Sequence, residues 1–305
     1  METKSVVVVL SSYNGEKYIA EQIDSILSQQ NVNLKLLIRD DGSTDSTLKI
    51  ITDYKHTHPE KIYLIADKNV GFAKSFITAT NQALKLFPNA RYFAFADQDD
   101  FWLPNKLETG IDRLQSFNQK IPALYCSNLS VVDANLNFIN KLRPQITIPL
   151  TKAQSLVYNL GVGCTMVFNR CAADLLSNNF IPQCKYHDFY LFQICRFCGN
   201  VVYDNDSYIQ YRQHGKNQIG GHIGLLNNFA NRFKFKSLDR ICQNEASALL
   251  YGIGDLLSVE DRLLISDFSM LHSSFIRRIK YFFSSKYNIP TNKFFTKLKI
   301  LLGTI

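Results

Sequence analysis

The first hundred residues alternate between short, continuously apolar runs and longer amphipathic stretches. Four apolar runs lack polar alternation and predict strands covered on both faces: residues 5–10, 34–38, 62–66 and 92–96. Between them, apolar residues recur at helical spacing and predict three helices, which end near Gln29, Tyr54 and Phe87. Strands and helices that alternate with short polar turns are typical of a doubly wound, mainly parallel α/β sheet.

The pattern is less regular after a predicted helix over residues 105–117. Further strands are predicted at residues 124–132, 164–168, 201–203 and 208–211. We expect residues 135–150, which contain two prolines, to form a loop, and residues 188–198 to form a helix. From about Leu225 the apolar spacing is mainly helical. We therefore divide the chain into an α/β domain over residues 1–220 and a helical C-terminal region over residues 221–305.

Charge also separates the C-terminal region from the rest of the chain. The net charge is +8, and residues 222–305 contribute most of it, with 12 Lys/Arg against 6 Asp/Glu. An excess of positive charge favours contact with an anionic surface, and lipid or nucleic acid could supply one. No stretch reaches the roughly 18 apolar residues that a membrane span requires, and the N-terminus lacks the layout of a signal peptide. We expect a cytoplasmic protein. The basic C-terminal region extends this prediction to peripheral contact with the inner face of the cell membrane.

Polar clusters follow all four predicted strands of the N-terminal half, at residues 11–14, 40–45, 67–69 and 97–100. In a parallel sheet these strand ends lie along one edge, where ligands bind. The last cluster holds Asp97, Asp99 and Asp100, which repel one another unless a cation joins them. An ordinary acidic loop before a helix that Pro104 could start is the alternative interpretation. Glycine-rich dinucleotide and P-loop motifs do not follow the first strand, which disfavours both of those classes.

Four motifs in this order resemble the bacterial family 2 glycosyltransferases, which have a GT-A fold. They are Val-Val-Leu-Ser-Ser-Tyr-Asn-Gly (8–15), Arg-Asp-Asp-Gly-Ser-Thr-Asp (39–45), Asn-Val-Gly (69–71) and Asp-Gln-Asp-Asp (97–100). The resemblance spans roughly residues 5–220. Trp102, His187-Asp188 and Tyr-Arg-x-His-Gly (211–215) are similar to the subgroup that builds capsule, O-antigen or rhamnose-rich polysaccharide. The resemblance implies a nucleotide-sugar-binding half over residues 1–103 and an acceptor half over residues 104–220.

The resemblance also implies roles for individual residues in nucleotide binding. The expected contacts with the donor are Ser11, Tyr13, Asn14, Asp40, Asp41, Asn69, Asp97, Gln98 and Asp99. Tyr13 would stack on the base, because an aromatic face binds a base by stacking. Asp40 would accept the N3–H of uracil or thymine, and Asp97 would approach the ribose.

Further implied roles concern the metal and the base. Asp99 and His214 would hold Mn²⁺ or Mg²⁺ against the diphosphate of a UDP- or dTDP-sugar. Asp188 would deprotonate the acceptor hydroxyl. Without the resemblance, Asp188 could simply be the N-cap of its helix, and His214 could be structural.

The implied function is a non-processive, inverting transfer of one sugar to a hydroxyl of a glycan or lipid-linked oligosaccharide. The Gln-x-x-Arg-Trp motif of processive synthases is absent from the sequence. Two other classes stay open: a sugar nucleotidyltransferase, and a non-catalytic protein that binds membrane or nucleic acid through its basic tail. For the glycosyltransferase we expect no nucleic-acid partner. The tail, with Phe275, Ile276 and Ile279 beside cations, would rest on anionic lipid, or pack on the domain, or join a homodimer.

Overall fold

The computed structural model describes residues 4–147, 149–181, 184–214 and 241–286. In this part of the chain, nine strands form one sheet: β1 (Ser5–Ser12), β2 (Asn33–Asp40), β3 (Ile62–Ala66), β4 (Tyr92–Ala96), β5 (Phe101–Trp102), β6 (Ala123–Val132), β7 (Phe138–Lys141), β8 (Val167–Asn169) and β9 (Asn200–Arg212). The helices are α1 (Ile19–Leu27), α2 (Thr47–Thr57), α3 (Phe72–Leu86), α4 (Lys106–Gln115), α5 (Lys152–Ser155), α6 (Arg170–Asn179), α7 (His187–Cys198), α8 (Ile241–Ile253), α9 (Val259–Ser269) and α10 (Phe275–Phe283).

The strand order is β3-β2-β1-β4-β8-β6-β9-β5, with β7 beside β6. The first four of these strands are all parallel, with β1 at their centre between β2 and β4. The doubly wound α/β sheet expected from the apolar pattern is therefore confirmed in this half. In the other half, β8 runs antiparallel to both β4 and β6, whereas β9 runs parallel to β6.

Both faces of the parallel half are covered, as the continuously apolar strands require. Successive side chains of a strand point to opposite faces, so β1 contributes to two separate cores. Val6, Val8 and Leu10 pack with apolar residues of α1, α2 and α4. Val7 and Val9 pack on the other face, with α3, α6 and α7. This packing fixes the carboxyl ends of β1, β2 and β4 along one edge, which positions the polar residues that follow them.

Three predicted elements of the second half differ from the structure. The two short strands predicted at residues 201–203 and 208–211 are one strand, β9, which shifts register against β6 near Asn128 and so tolerates the polar residues between them. The predicted loop over residues 135–150 contains β7. The strand predicted to begin at Cys164 begins at Val167, because Gly163–Thr165 forms a 3₁₀ turn.

Helices α8 and α9 pack on the α/β domain rather than standing apart from it. Apolar residues of α8 and α9 belong to the same core as β1, α3 and α7, among them Ala246, Leu249, Ile253, Ile265 and Phe268. The predicted division at residue 220 and the tail after residue 286 lie outside the described residues. Within the described part, no helix combines the length and the apolar character needed to cross a bilayer.

Candidate active site

A cavity of about 1130 Å³ opens at the carboxyl edge of the sheet. Ten of the eleven residues that the sequence singled out line it: Ser11, Tyr13, Asn14, Asp41, Asn69, Asp97, Gln98, Asp99, Asp188 and His214. They come from four loops after β1, β2, β3 and β4, from α7 and from the end of β9. The expected convergence of polar clusters on one crevice is therefore what the fold produces.

Asp40 is the exception, because it lies behind the cavity wall. Its carboxylate is 1% exposed and accepts hydrogen bonds from the Ser43 N–H at 2.9 Å and from the hydroxyls of Ser12 and Ser43 at 3.0 and 2.6 Å. These bonds close the turn after β2. In this structure, therefore, the oxygens of Asp40 hold the loop, and Asp40 is not among the residues that line the cavity.

Asp41, the next residue, forms part of the cavity wall and orders the loop after β3. Its two carboxylate oxygens accept the backbone N–H groups of Val70 and Gly71 at 2.9 and 3.0 Å. The Arg39 guanidinium forms a buried ion pair with the same carboxylate. Gly71 has a φ of 85°, a left-handed conformation that favours glycine at this position. Asp41 thus joins two of the sequence motifs directly.

Tyr13 is held at the cavity through its backbone, which leaves its ring 44% exposed. The Tyr13 N–H donates to Gln98 Oε1 at 2.8 Å, and Gln98 Nε2 donates to the Tyr13 carbonyl at 3.1 Å. A Cβ atom on Gly15 would lie 2.3 Å from Gln98 Oε1, so a glycine is required for this approach. Asn14 accepts the Thr44 N–H at 2.8 Å and links the loops after β1 and β2. The Tyr13 ring is therefore exposed at the cavity, where an aromatic face is available for stacking.

Asp97 and Asp188 are two cavity carboxylates whose charged forms are disfavoured. Burial raises the pKa of Asp97 to about 7, and the nearby charges of Asp99 and Asp188 act in the same direction. Burial also raises the pKa of Asp188, although backbone N–H groups partly oppose it. Carboxylates in such surroundings gain from a cation that enters between them and a bound anionic substrate.

Asp99 and His214 meet at the cavity wall and supply a donor pair that suits a divalent metal. His214 Nε2 lies 2.7 Å from Asp99 Oδ2, and both side chains keep about a sixth of their surface exposed (17% and 16%). A carboxylate oxygen with an imidazole nitrogen fits Mn²⁺, and the oxygen-rich surroundings also fit Mg²⁺. The residues present therefore fit the metal that the sequence motifs imply.

Asp188 lies in the first turn of α7, and Tyr186 is the N-cap residue of that helix. The interpretation of Asp188 as a simple N-cap is therefore wrong. Its Oδ2 accepts the Gly163 N–H at 3.1 Å, and its Oδ1 accepts the Phe189 N–H at 2.8 Å. These bonds fix the carboxylate at the cavity on the side of Val162 and Gly163.

His187 lies beside Asp188 but is enclosed by aromatic rings. Its ring stacks on Phe76 at 4.1 Å between centroids and meets the edges of Phe72 and Phe95 at 5.0 and 4.8 Å. Burial lowers the pKa of His187 to about 3, so its imidazole is neutral at physiological pH. Neither ring nitrogen has a hydrogen-bond partner among the residues that the structure describes.

Asp100 and Lys106 form a buried layer behind the cavity. Both side chains are fully buried, and Lys106 Nζ lies 3.6 Å from the centroid of the Trp102 ring. Burial raises the pKa of Asp100 well above its ordinary value and lowers the pKa of Lys106 to about 7, while the charge of Asp100 acts on Lys106 in the opposite direction. Asp100 Oδ1 accepts the Arg212 N–H at 3.3 Å. Asp100 therefore supports the end of β9 instead of lining the cavity.

Sequence reasoning missed several residues around the cavity, notably Lys17, Tyr18, Phe72 and Tyr211. Tyr18 and Lys17 follow the Tyr-Asn-Gly motif within four residues, and Tyr211 precedes His214 by three. Proximity to those motifs was the available signal. Aromatic residues at these spacings are equally typical of a core, so their types alone could not identify them.

Comparison with known proteins connects these features with one family. A family model described as "Glycosyl transferase family 2" matches residues 7–168. The dTDP-rhamnosyl transferase RfbG of Shigella flexneri is 30% identical over 227 residues, which cover 71% of this chain and 75% of that protein. The UDP-Glc:alpha-D-GlcNAc-diphosphoundecaprenol beta-1,3-glucosyltransferase WfgD of Escherichia coli is 32% identical over 192 residues. The match covers 63% of this chain and 69% of that protein.

The fold is shared with solved structures of distant sequence. The mannosyltransferase PcManGT from Pyrobaculum calidifontis, solved in complex with GDP-Man and Mn²⁺, superimposes with a TM-score of 0.52. The match covers 98% of this chain and 85% of that chain at 16% identity. At this identity the likeness concerns the architecture, which is the α/β fold of a GT-A glycosyltransferase.

Proposed function

The chain belongs to glycosyl transferase family 2, and we propose that it transfers one sugar, with inversion, from a UDP- or dTDP-sugar to a hydroxyl of a glycan or lipid-linked oligosaccharide. The observation that carries this proposal is the position of Asp99, His214 and Asp188 around one cavity. Departure of a diphosphate requires side chains that can hold a metal, and Asp99 and His214 lie together on one wall of the cavity. Attack by a hydroxyl requires a base, and the buried carboxylate of Asp188 lies on another wall.

The donor would bind along the loops after β1, β2 and β4. Tyr13 offers an exposed ring for the base. Polar groups line the same cavity, from Ser11, Asn14, Asn69 and Gln98. We assign contact with the base or ribose to Asp41 and Asp97, which line the cavity. Asp40 would act by holding the Ser43 turn, because both of its oxygens are already bonded within that loop.

Asp99 and His214 would hold Mn²⁺ or Mg²⁺ at the diphosphate. When bound, the metal neutralises the charge that develops on the departing nucleoside diphosphate. The contribution of the chain is to keep these two side chains on the cavity wall, 2.7 Å apart and partly exposed. A Mn²⁺ complex is known for the mannosyltransferase of the same fold, which supports this choice of ion.

Asp188 would act as the base on the acceptor side. Its carboxylate is fixed by the N–H groups of Gly163 and Phe189 and can accept the proton of the attacking hydroxyl as the anomeric bond breaks. Burial raises the pKa of Asp188, which makes its carboxylate a stronger base than an exposed aspartate. A fixed carboxylate opposite the leaving group is the arrangement that inversion needs.

The relatives support the proposed donors and acceptors. One is described as a dTDP-rhamnosyl transferase and another as a UDP-Glc transferase that acts on a diphosphoundecaprenol-linked sugar. We therefore propose a role in bacterial surface polysaccharide synthesis, in the cytoplasm at the inner face of the membrane. The excess of positive charge near the C-terminus suits work on a lipid-linked acceptor.

A donor screen tests this function. UDP- and dTDP-sugars are added with Mn²⁺ or Mg²⁺ while thermal stability and slow donor hydrolysis are followed. We expect one donor to raise the melting temperature in a metal-dependent way and to release the nucleoside diphosphate. Release of pyrophosphate would instead indicate a nucleotidyltransferase. The absence of a response to every nucleotide, with and without metal, would contradict the proposal.

A further inference from the structure

We propose that Tyr18 and Arg212 form a bracket that positions the His214 ring against Asp99, so that helix α1 takes part in building the metal site. This inference rests on the proposed role of Asp99 and His214 as metal ligands. Tyr18 and Arg212 would be positioning residues, because they act on the ligands and need not touch the metal. Two contacts of the Tyr18 ring, with His214 and with Arg212, carry the Tyr18–Arg212 bracket, and further bonds join it to Asp99 and to α1.

The first contact is between the rings of Tyr18 and His214. Their centroids lie 5.0 Å apart at an interplanar angle of 30°, so the imidazole stacks on the tyrosine. The edge of His214 is at the same time 2.7 Å from Asp99 Oδ2. A histidine whose face is packed and whose edge is directed at a carboxylate has little rotational freedom. The stack therefore selects the ring orientation that a shared metal would need.

Arg212 contacts both Tyr18 and the backbone of Asp99. Its guanidinium carbon lies 4.5 Å from the centroid of the Tyr18 ring, a cation–π arrangement. Its Nε donates to the Asp99 carbonyl at 3.0 Å. The side chain of Arg212 is 2% exposed, so these interactions are desolvated. One residue thus ties the loop that carries Asp99 to the ring that supports His214.

Helix α1 anchors the bracket on its other side. Tyr18 directly precedes α1, and its N–H donates to the Gly15 carbonyl at 3.0 Å. Glu21, in the first turn of α1, forms an ion pair with Arg212. The bracket therefore couples the turn after β1, the Asp99 loop and the end of β9, which are far apart in sequence. This coupling positions His214, which follows the end of β9.

The ring of Tyr18, and not its hydroxyl, is the part that the bracket uses. The hydroxyl is buried and has no hydrogen-bond partner among the described residues. Tyr18→Phe should therefore keep the stack and the cation–π contact, whereas Tyr18→Leu should lose both. Tyr251, which is 86% exposed on α8, provides the matched control, Tyr251→Leu. These three variants distinguish the effect of losing the Tyr18 ring from the effect of losing any tyrosine.

The test measures Mn²⁺ binding through the electron paramagnetic resonance signal of the free ion, with UDP or dTDP present in parallel samples. We expect Tyr18→Leu to weaken Mn²⁺ binding by about 10- to 100-fold, as loss of outer-sphere support typically does. Tyr18→Phe and Tyr251→Leu should bind as the wild type does. If Tyr18→Leu does not fold, as judged by its melting curve, Arg212→Lys replaces it, since lysine keeps the charge but loses the planar group.

The controls Asp99→Asn and His214→Ala separate this inference from the function on which it rests. If both bind Mn²⁺ like the wild type, or if the wild type does not bind it, the proposed metal site is wrong. If both weaken binding but Tyr18→Leu does not, the metal site stands and the bracket is overturned. Equal weakening by Tyr18→Phe and Tyr18→Leu would also overturn it, because the hydroxyl would then be the active part.

Discussion

At the scale of single residues, the site concentrates negative charge around one cavity. Asp97, Asp99 and Asp188 face one cavity, and burial raises the pKa of Asp97 and Asp188. Such an arrangement costs folding free energy when all three groups are ionised, because like charges repel and lose hydration. The 2.7 Å hydrogen bond between His214 Nε2 and the Asp99 carboxylate offsets part of this cost from one side. The remaining imbalance is what a divalent metal would relieve.

Asp188→Asn tests the assignment of the base. The amide keeps the shape of the side chain but cannot take up a proton, so we expect kcat to fall by about 10²- to 10⁴-fold, while the KM for the donor changes little. Initial rates of nucleoside diphosphate release measure both parameters. Asp255→Asn, at a fully exposed carboxylate, is the matched control and should leave them unchanged. A kcat within a few-fold of the wild type for Asp188→Asn would exclude Asp188 as the base.

The same residue predicts the acid limb of the pH–rate profile. Asp188 must be ionised to accept a proton, and burial raises its pKa above that of an ordinary aspartate. The fraction of active enzyme therefore falls as the pH decreases toward that raised pKa. In the wild type we expect kcat to begin to fall at a higher pH than an exposed aspartate would cause.

At the scale of elements, the sequence predicted the positions of strands most accurately where a strand is continuously apolar and covered on both faces. The first four strands and their helices are of this kind, so periodicity alone located them. β9 was predicted as two pieces because polar residues between Tyr203 and Tyr208 interrupt its pattern. Pairing with β6 on one side carries the strand across this interruption. Tertiary pairing, which a local pattern does not contain, therefore determines that β9 is continuous.

Helix α10 is the described element whose apolar face is most exposed. Ile276 and Phe283 are 78% and 77% exposed, and Arg277, Arg278 and Lys280 lie on the same short helix. Apolar residues beside cations suit the surface of an anionic membrane. We therefore expect co-sedimentation with vesicles that contain anionic lipid, weaker binding to neutral vesicles, and release by salt.

The double variant Ile276→Ser, Phe283→Ser should weaken vesicle binding by about tenfold or more, because two large apolar side chains no longer enter the interface. Phe138→Ser is the control, since Phe138 is 65% exposed on β7, outside the C-terminal region. Unchanged binding of the double variant would contradict the membrane role of α10. A concentration-dependent dimer that the double variant abolishes would support a homodimer instead.

At the scale of the whole molecule, the sheet topology brings most of the predicted site residues to one cavity. Ten of the eleven predicted residues line the cavity because a parallel sheet brings its strand ends to one edge. Asp40 was the exception because its neighbours Ser12 and Ser43 satisfy its oxygens, which only the turn geometry determines. The contacts of Tyr18 with Arg212 and His214 depend on residues nearly 200 positions apart. No local pattern contains such contacts.

Among the described residues, helices α8 and α9 share a hydrophobic core with the α/β domain. Leu249 and Phe268 are fully buried in the core that also contains β1 and α3. Glu245 of α8 accepts the Lys185 N–H at 2.8 Å, which supports the turn that leads to Asp188. Helix α8 therefore supports the part of the cavity wall that carries Asp188.

The most direct test of the account is a Mn²⁺ titration of metal-free enzyme, in which the release of nucleoside diphosphate from its donor is measured for the wild type and for Asp99→Asn. We predict no release by the metal-free wild type, a rate that saturates with Mn²⁺, and a loss of at least about 100-fold in Asp99→Asn at every concentration. Full turnover by the metal-free wild type, or equal rates for the two proteins, would contradict the proposed mechanism.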